Sequence, residues 1–580
     1  MLSALLEPAR NDSPLWLPDL RDAFLKDPAA RPLLFRLTLH DGTQRDFPCA
    51  VPRWETEEEH RFAEDYLHAC VYNILAANSG RELRLFFDRK DAGLCALCDG
   101  LDEAFQLRET VRHGYGKVIS IAGRIAKSYG GAPFRFAFSD LSEYVPLPET
   151  AAERPAPLDE KLRGLCRGAA GLRLCGIDVG GTDIKLAASC GERLVCTKEF
   201  DWNPAAYATA EEITGPILLL TRLMRACLAA EDAALPEPIR ASLAQALQKD
   251  APPDLIRSAV GTAESFLGER CRVLDGVGLS FPDIVIGDRI LGGETPKTGG
   301  MRRNMSIDYE TAFARISELK NELLALCREG GRVRITNDGS MAAFTAAVEL
   351  AHSADAARLA GGVLAHSLGT DLGTGWIKAD GSIPALPLEL YDLILDLGSF
   401  RSRAYPPEDL RSTRNENSGL VGARRYMGQA AAYRLAQKLD PSLLEGFTVW
   451  DGDRLCIATS PQDLRKPCLE HLMQRAEEGA PPACQIFLGI GANLAVTARE
   501  MEYLLHPGVK LCFLFGRFVK RPGVFRLLDE GFRGCVGDRL LIPSDENLAM
   551  TPLMQALAER PDVTVAQFGQ AVGAIYFALT

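Results

Sequence analysis

Three short segments hold residues whose types and order suit chemistry. In LRLCGIDVGGTDIKLAAS (172–189) an apolar run reaches Asp178, turns through Gly180, Gly181 and Thr182, and re-enters an apolar run carrying Lys185. Glycines at such a turn can take positive φ and let a ligand approach the backbone, and the amides they expose form an anion-binding nest. VLAHSLGTDLGTGWIKADGSI (363–383) repeats the pattern, with Gly369, Thr370, Asp371, Gly373, Thr374 and Gly375 between two apolar runs. Two such loops can grip a polyphosphate from two sides, with Asp178 and Asp371 holding a hydrated Mg2+, directly or through water. Between them, GRVRITNDGSMAAFTAAVEL (331–350) ends an apolar alternation at Asn337 and Asp338 and continues into an Ala-rich helical stretch. A carboxylate at the end of a strand in an open α/β sheet is where a general base belongs. Plainer readings stand beside these: a DVGGT turn also makes an ordinary hairpin, and Asn337 or Asp338 also serves as a helix cap. Neither glycine loop is a Walker A sequence, and no G-x-G-x-x-G opens a Rossmann helix.

The elements that must position these residues are strands alternating with long Ala/Leu-rich helical stretches from about residue 171 onward, the pattern of an α/β fold. The stretch 205–270 reads as several helices. Residues 1–145 have a different character and predict a small α+β module. LLFRLTLH (33–40), Asp41-Gly42 and TQRDF form a hairpin signal. A helix is expected over 55–77, a strand over 81–88, a helix over 91–107 and a strand over 134–138. The span 146–170 opens Pro-rich and is taken as an interdomain linker.

Composition bounds the function. The 580 residues are 47% hydrophobic and 24% charged, the profile of a chain with a sizeable core. A net charge of −12 argues against binding to nucleic acid. No uninterrupted apolar run approaches the roughly 18 residues of a spanning helix. The N-terminus lacks a basic segment ahead of a long apolar one, so a cytoplasmic protein without membrane attachment is expected. The 16 cysteines are scattered, and the C-x-x-C pair Cys95/Cys98 has no second pair at zinc-binding spacing. The eight histidines form no metal-binding cluster.

Taken together and in order, GIDVGGTDIKLA, DGVGLSFPDIVIGDRI (275–290), TNDGSMAAF and SLGTDLGTGW resemble the ROK family of sugar kinases and regulators, within the actin/hexokinase superfamily of ATPases. FLFGRFV (513–519) resembles that family's adenosine-binding strand and turn, and AQFGQAVGAIYFAL (566–579) its closing helix. The resemblance implies an α/β fold of two ribonuclease-H-like lobes around a cleft, preceded here by the extra N-terminal module. Residues 171–350 would be the first lobe and 351–580 the second. It implies an ATP-dependent kinase acting on a hexose or hexosamine, with Mg2+ as cofactor and a small-molecule sugar as partner. Asp338 matches the base that takes the hydroxyl proton. Asn337, Asn304 and Glu389 match acceptor contacts, and Gly516 the adenosine turn. Asp178, Gly180, Gly181, Thr182 and Lys185 match the first phosphate loop; Gly369 to Gly375 match the second. Many ROK kinases are homodimers, and a homodimer is implied here too.

The departures are specific. The stretch 385–430 holds no cysteine, so the family's structural zinc is not expected. The family's G-E-x-G-H sugar turn falls on Leu388-Glu389-Leu390-Tyr391-Asp392, which keeps the acid and loses the glycines and histidine. Alternative readings are therefore a sugar- or nucleotide-sensing protein without turnover, or an ATPase acting on a protein or cofactor partner. Two further stretches are noted. GGETPKTGGMRRN (292–304) carries Lys297, Arg302 and Arg303, suited to an anion or to solvent. RSRAYPPEDLRSTRNENSG (401–419) reads as a mobile surface loop or lid.

Overall fold

The computed structural model describes residues 2–11, 13–105, 114–148, 157–292, 296–369, 372–399, 405–415, 419–509, 511–536, 540–543 and 549–580. The chain divides into two compact units. The first comprises Met1–Glu153, His366–Thr374 and Leu386–Pro543; the second comprises Arg154–Ala365, Gly375–Ala385 and Ser544–Thr580.

In the first unit, strands β1 (Arg31–Thr38), β2 (Gln44–Val51), β3 (Glu82–Phe87) and β4 (Arg135–Asp140) form a sheet in the order β2-β1-β3-β4. β1 pairs antiparallel with β2 and β3, and β3 pairs parallel with β4. The turn between β1 and β2 uses Asp41 and Gly42, and Gly42 takes φ +89, which a side chain would resist. Helix Glu57–Asn78 starts at a capping box of Thr56 and Glu59. Helix Ala92–Phe105 follows β3, and helix Gly116–Ser128, which the sequence reading does not anticipate, precedes β4.

The second unit is built on β5 (Arg173–Val179), β6 (Asp183–Cys190), β7 (Arg193–Asp201), β8 (Leu274–Phe281) and β11 (Cys327–Asn337); a small hairpin of β9 (Val285–Ile286) and β10 (Arg289–Ile290) lies outside the main sheet. The order is β11-β8-β5-β6-β7, with β5, β8 and β11 parallel and β6 and β7 joined as antiparallel hairpins. That is the ribonuclease-H-like order. The closing helix Val565–Phe577 lies on β5 and β8 because those strands present glycine to it. A Cβ on Gly176 would collide with the Ala571 carbonyl, and one on Gly278 with the Ala574 carbonyl. Gly278→Ala is accordingly expected to destabilise this unit by about 2–3 kcal/mol through overpacking against backbone that cannot swing away. Denaturant unfolding checks this; a loss under roughly 0.5 kcal/mol would remove the close-approach argument.

The insertion after β7 forms helices Ala210–Ala230, Glu237–Ala246 and Pro253–Leu267, which bury Ile213, Leu220, Leu223, Ile256 and Val260 into the core. Two helices bear on the expected absence of membrane attachment. Ala210–Ala230 and, in the first unit, Pro481–Leu505 are long and apolar enough by length and composition to cross a membrane, with mean hydropathy 1.4 and 1.2. In both, 61% of the apolar window is buried inside the protein, as in core helices. The span 146–170 also contains the helix Leu158–Arg167, which starts once its prolines end at Pro157; residues 149–156 lie outside the described ones.

The remaining strands are β12 (Val363–Leu368), β13 (Leu372–Ile377), β14 (Thr448–Asp451), β15 (Arg454–Ile457), β16 (Leu511–Gly516) and β17 (Leu540–Pro543). Four of them form the sheet β13-β12-β16-β17, and β14 and β15 form a hairpin. This is again the ribonuclease-H-like order, without a third strand among the described residues. After the Asp380-Gly381 turn the chain runs into Pro384 and Pro387, which cannot donate to a ladder. The fold class is thus α/β, with two ribonuclease-H-like sheets and an added N-terminal α+β module.

That module is joined to the rest of the first unit by buried polar groups. Arg21 meets Glu500 at 2.6 Å, with 3% and 0% of their side chains exposed. Asn73 donates to Glu500 and to the Ile394 carbonyl, each at 2.9 Å. The described part of 401–419 is packed, which corrects its reading as a mobile loop. Asp409 and Asn415 are fully buried, and Asp409 binds the Arg411 guanidinium at 2.8 and 2.7 Å and accepts from the Leu455 amide at 3.0 Å. Polar composition suggested a surface, but here one buried carboxylate gathers the donors. Residues 401–404 and 416–418 lie outside the described ones.

Candidate active site

The parallel register of the second unit sets its chemistry. Asp178 on β5 pairs with Ser280 on β8, Ser280 pairs with Thr336 on β11, and Phe281 pairs with Asn337. Asp178, Ser280 and Asn337 therefore reach the carboxyl ends of three adjacent parallel strands, where open α/β sheets bind ligands. Helix Asp338–Ala351 begins at this edge.

Asn337 is the helix cap: its Oδ1 accepts from the Gly339 amide at 2.9 Å, and its Nδ2 donates to the Asp283 carbonyl at 2.9 Å. Both polar atoms thus serve the turn. Asp338 also accepts from the Gly339 amide, through Oδ1 at 2.8 Å, while Oδ2 lies 3.9 Å from Lys297 Nζ. With 44% of its side chain exposed, Asp338 is open to a ligand. Gly375 approaches the start of the same helix so closely that a Cβ would collide with the Gly339 carbonyl.

The first loop is tied down from below. The Gly180 amide donates to the Asp183 carbonyl at 2.8 Å, Trp202 Nε1 donates to the Gly180 carbonyl at 3.0 Å, and the Trp202 amide donates to the Thr182 carbonyl at 3.0 Å. Gly181 and Thr182 are exposed. The expected reason for glycine here is corrected, because neither Gly180 nor Gly181 is among the positive-φ glycines. Space is tight at Gly180: a Cβ would stand 2.9 Å from Asp183 Oδ1 and 3.0 Å from the Asp183 carbonyl oxygen. Lys185 forms an ion pair with Asp183, and Asn304 is held by the Ala208 carbonyl and the Ser306 amide at 3.0 and 3.1 Å.

Burial pushes the Asp178 carboxyl up to about 6; the Ser280 hydroxyl and Lys185 hold it down, and the charges of Asp338 and Asp183 push it further up. The folded value lies above the ordinary one, so folding favours the protonated form, and stability is lost as pH rises through the interval from about 4 to about 6. Asp178→Asn is expected to stabilise the protein by about 2 kcal/mol at pH 8 and to change little at pH 4. Thermal unfolding at the two pH values checks this, and equal effects at both would contradict it. A half-buried carboxylate beside the exposed Gly181 and Thr182 could serve Mg2+ as a ligand, since that ion takes few protein oxygens and keeps waters and phosphates. Among the described residues, no group of three His, Cys, Asp or Glu could hold a metal by itself.

The first unit places the other expected residues as follows. The Gly369 carbonyl accepts from the Gln429 amide at 3.1 Å. Gly373 is half-buried, and Thr370 and Asp371 lie outside the described residues. Thr374 is turned inward: it is 5% exposed, with its hydroxyl 3.1 Å from His366 Nδ1. Burial pushes His366 down to about 4, so it stays neutral there. Gly516 takes φ +108 and sits where a Cβ would collide with the Leu368 carbonyl, which seats the end of β16 on β12. Glu389 lies 3.8 Å from the buried Lys117 of the N-terminal module, which also forms an ion pair with Asp392 and donates to Tyr391 at 2.5 Å.

Sequence reasoning passed over Lys117 and Ser280, and it left Lys297 as one of three basic residues in a glycine-rich stretch. The Lys117–Glu389 pairing has no local signal. Lys297 had a weak one, as the only lysine between two pairs of glycines.

No protein-family model and no curated protein matches the chain. Among solved structures it is similar to a ROK family glucokinase from Streptomyces griseus in complex with glucose and AMPPNP, at 16% identity over 70% of this chain and 99% of that one, with TM-score 0.38. It is similar to a ROK hexokinase from Thermus thermophilus, at 14% identity over 70% and 98%, with TM-score 0.37. It is also similar to a ROK family transcriptional regulator, a homologue of the E. coli MLC protein, at 12% identity over 70% and 81%, with TM-score 0.40. The solved structures that this chain is similar to thus include ROK family sugar kinases and a ROK family regulator.

Proposed function

We propose that this protein is an ATP-dependent carbohydrate kinase that transfers the γ-phosphoryl group to a hydroxyl of a hexose or hexosamine. The observation that carries this reading is the register of β5, β8 and β11. It sets Asp178, Ser280 and Asn337, which leads into Asp338, along one sheet edge, beside the exposed Gly181 and Thr182. Phosphoryl transfer asks a protein mainly for positioning, charge neutralisation and one base, and this edge offers all three.

In this reading Asp338 Oδ2 takes the proton of the acceptor hydroxyl. The hydroxyl oxygen bonds to the γ-phosphorus, the bond to the β,γ-bridging oxygen breaks, and ADP leaves with that electron pair. Gly180 to Thr182 would hold phosphates from the second unit, and the resemblance assigns the same role to the loop from Gly369 to Gly375 and the adenosine turn to Gly516. Mg2+ arriving with the nucleotide would neutralise phosphate charge, with Asp178 as its described oxygen donor. Asn337 and Asn304 keep few free polar atoms for a sugar, so the Asp338 carboxylate is the main anchor of the acceptor hydroxyl.

Incubation with ATP and a mixture of hexoses and N-acetylated hexosamines, followed by mass spectrometry of the sugars, tests the proposal. A sugar gaining one phosphoryl group supports it. ATP bound with no sugar modified would favour a second reading, a nucleotide- or sugar-sensing protein. The Lys117–Glu389 pairing speaks for that reading, because it occupies the acid that the resemblance assigns to a sugar.

A further inference from the structure

Lys297 stands at the meeting point of the two halves of the reaction edge. Its Nζ is 3.9 Å from Asp338 Oδ2, and its Cε is 3.7 Å from the position a Cβ would occupy on Gly181. This cation therefore borders both the carboxylate that would hold the acceptor hydroxyl and the turn that would hold the nucleotide phosphates. One-third of its side chain is exposed, so a ligand can reach it.

Its stem is fixed. Thr298 is buried, its hydroxyl 3.1 Å from Tyr309 and accepting from Arg302 at 2.8 Å. Gly300 packs where a Cβ would collide with the Tyr207 carbonyl. The neighbouring cations are used differently: Arg302 binds Thr298, and Arg303 donates to the Ala205 carbonyl at 3.0 Å. Among the described residues of 292–304, Lys297 alone is paired with Asp338.

We infer that Lys297 contacts the transferring phosphoryl group and stabilises it as it passes from nucleotide to acceptor. This rests on the kinase reading. The γ-phosphoryl group must cross between the phosphate turn and the base-bound hydroxyl, and a cation beside both lies along that path. Lys297 exchanges its Asp338 partner for phosphoryl oxygens, which frees the carboxylate to take the hydroxyl proton. The cation neither gains nor loses a proton; it supplies fixed positive charge where negative charge gathers.

The test compares binding of AMPPNP and ADP, each with Mg2+, to the wild type, Lys297→Ala and Lys297→Arg by calorimetry. Loss of one charge-assisted contact predicts that Lys297→Ala weakens AMPPNP by about tenfold or more and leaves ADP within about twofold. Lys297→Arg should recover AMPPNP binding to within about threefold of wild type. Retained ADP binding also shows that the variant is folded. Equal weakening of both nucleotides, or of neither, overturns the role of Lys297. A wild type that binds neither nucleotide overturns the kinase reading itself, whatever the variants do.

Discussion

Asp338→Asn is expected to lower kcat by a factor on the order of 10² or more while leaving nucleotide affinity within about twofold, the signature of losing a general base. The substitution is nearly isosteric, and the asparagine oxygen can still accept from the Gly339 amide as Asp338 Oδ1 does at 2.8 Å. The helix start, the Asn337 cap and the close approach of Gly375 therefore stay in place. What is lost is the carboxylate oxygen facing Lys297, on a side chain 44% exposed, which is able to take a proton from a hydroxyl. Steady-state kinetics with nucleotide titrations check the split. A fall in kcat under threefold would remove Asp338 from the chemistry, and a matching loss of nucleotide affinity would make it a structural residue.

The second large effect concerns stability. Glu500→Ala should cost about 3–5 kcal/mol, because it strands a buried guanidinium. Arg21 is 3% exposed and has Glu500 as its anionic partner; the same carboxylate accepts from Asn73 Nδ2. The stacking of Arg21 on the Tyr503 ring at 3.5 Å would remain, but a ring face does not replace a carboxylate. Replacing both partners with apolar residues, Arg21→Met with Glu500→Leu, should recover most of the loss, since the desolvation cost of both charges disappears. Denaturant unfolding of the three variants measures this. A Glu500→Ala cost below roughly 1 kcal/mol would show that the pair does not anchor the N-terminal module.

How far these features could be read beforehand depended on how local their causes are. The β1–β2 hairpin was legible because Asp41-Gly42 supplies the positive φ that its turn needs. The strand–Asp178–turn–strand unit and the strand running into Asn337 and Asp338 were legible from apolar alternation that stops at polar residues. The cap was anticipated as an alternative, and Asn337 is the residue that makes it. Contacts between distant segments were not legible. Nothing near Glu389 marks Lys117 as its partner, and nothing near Thr374 says that a buried histidine takes its hydroxyl. Composition misled at 401–419, where Arg411, in a stretch that read as a mobile surface loop, is held by the buried Asp409. Glycine chemistry was half right: Gly180 and Gly181 do not take positive φ, and Gly375 is needed for its close approach to the Gly339 carbonyl.

The most direct test of the kinase account is ADP release from Mg-ATP across hexoses, N-acetylated hexosamines and a no-acceptor control, with wild type and Asp338→Asn run in parallel. The account predicts release that depends on one class of acceptor and disappears in the variant. Release that ignores the acceptor, or none with any sugar while ATP binds, would contradict it.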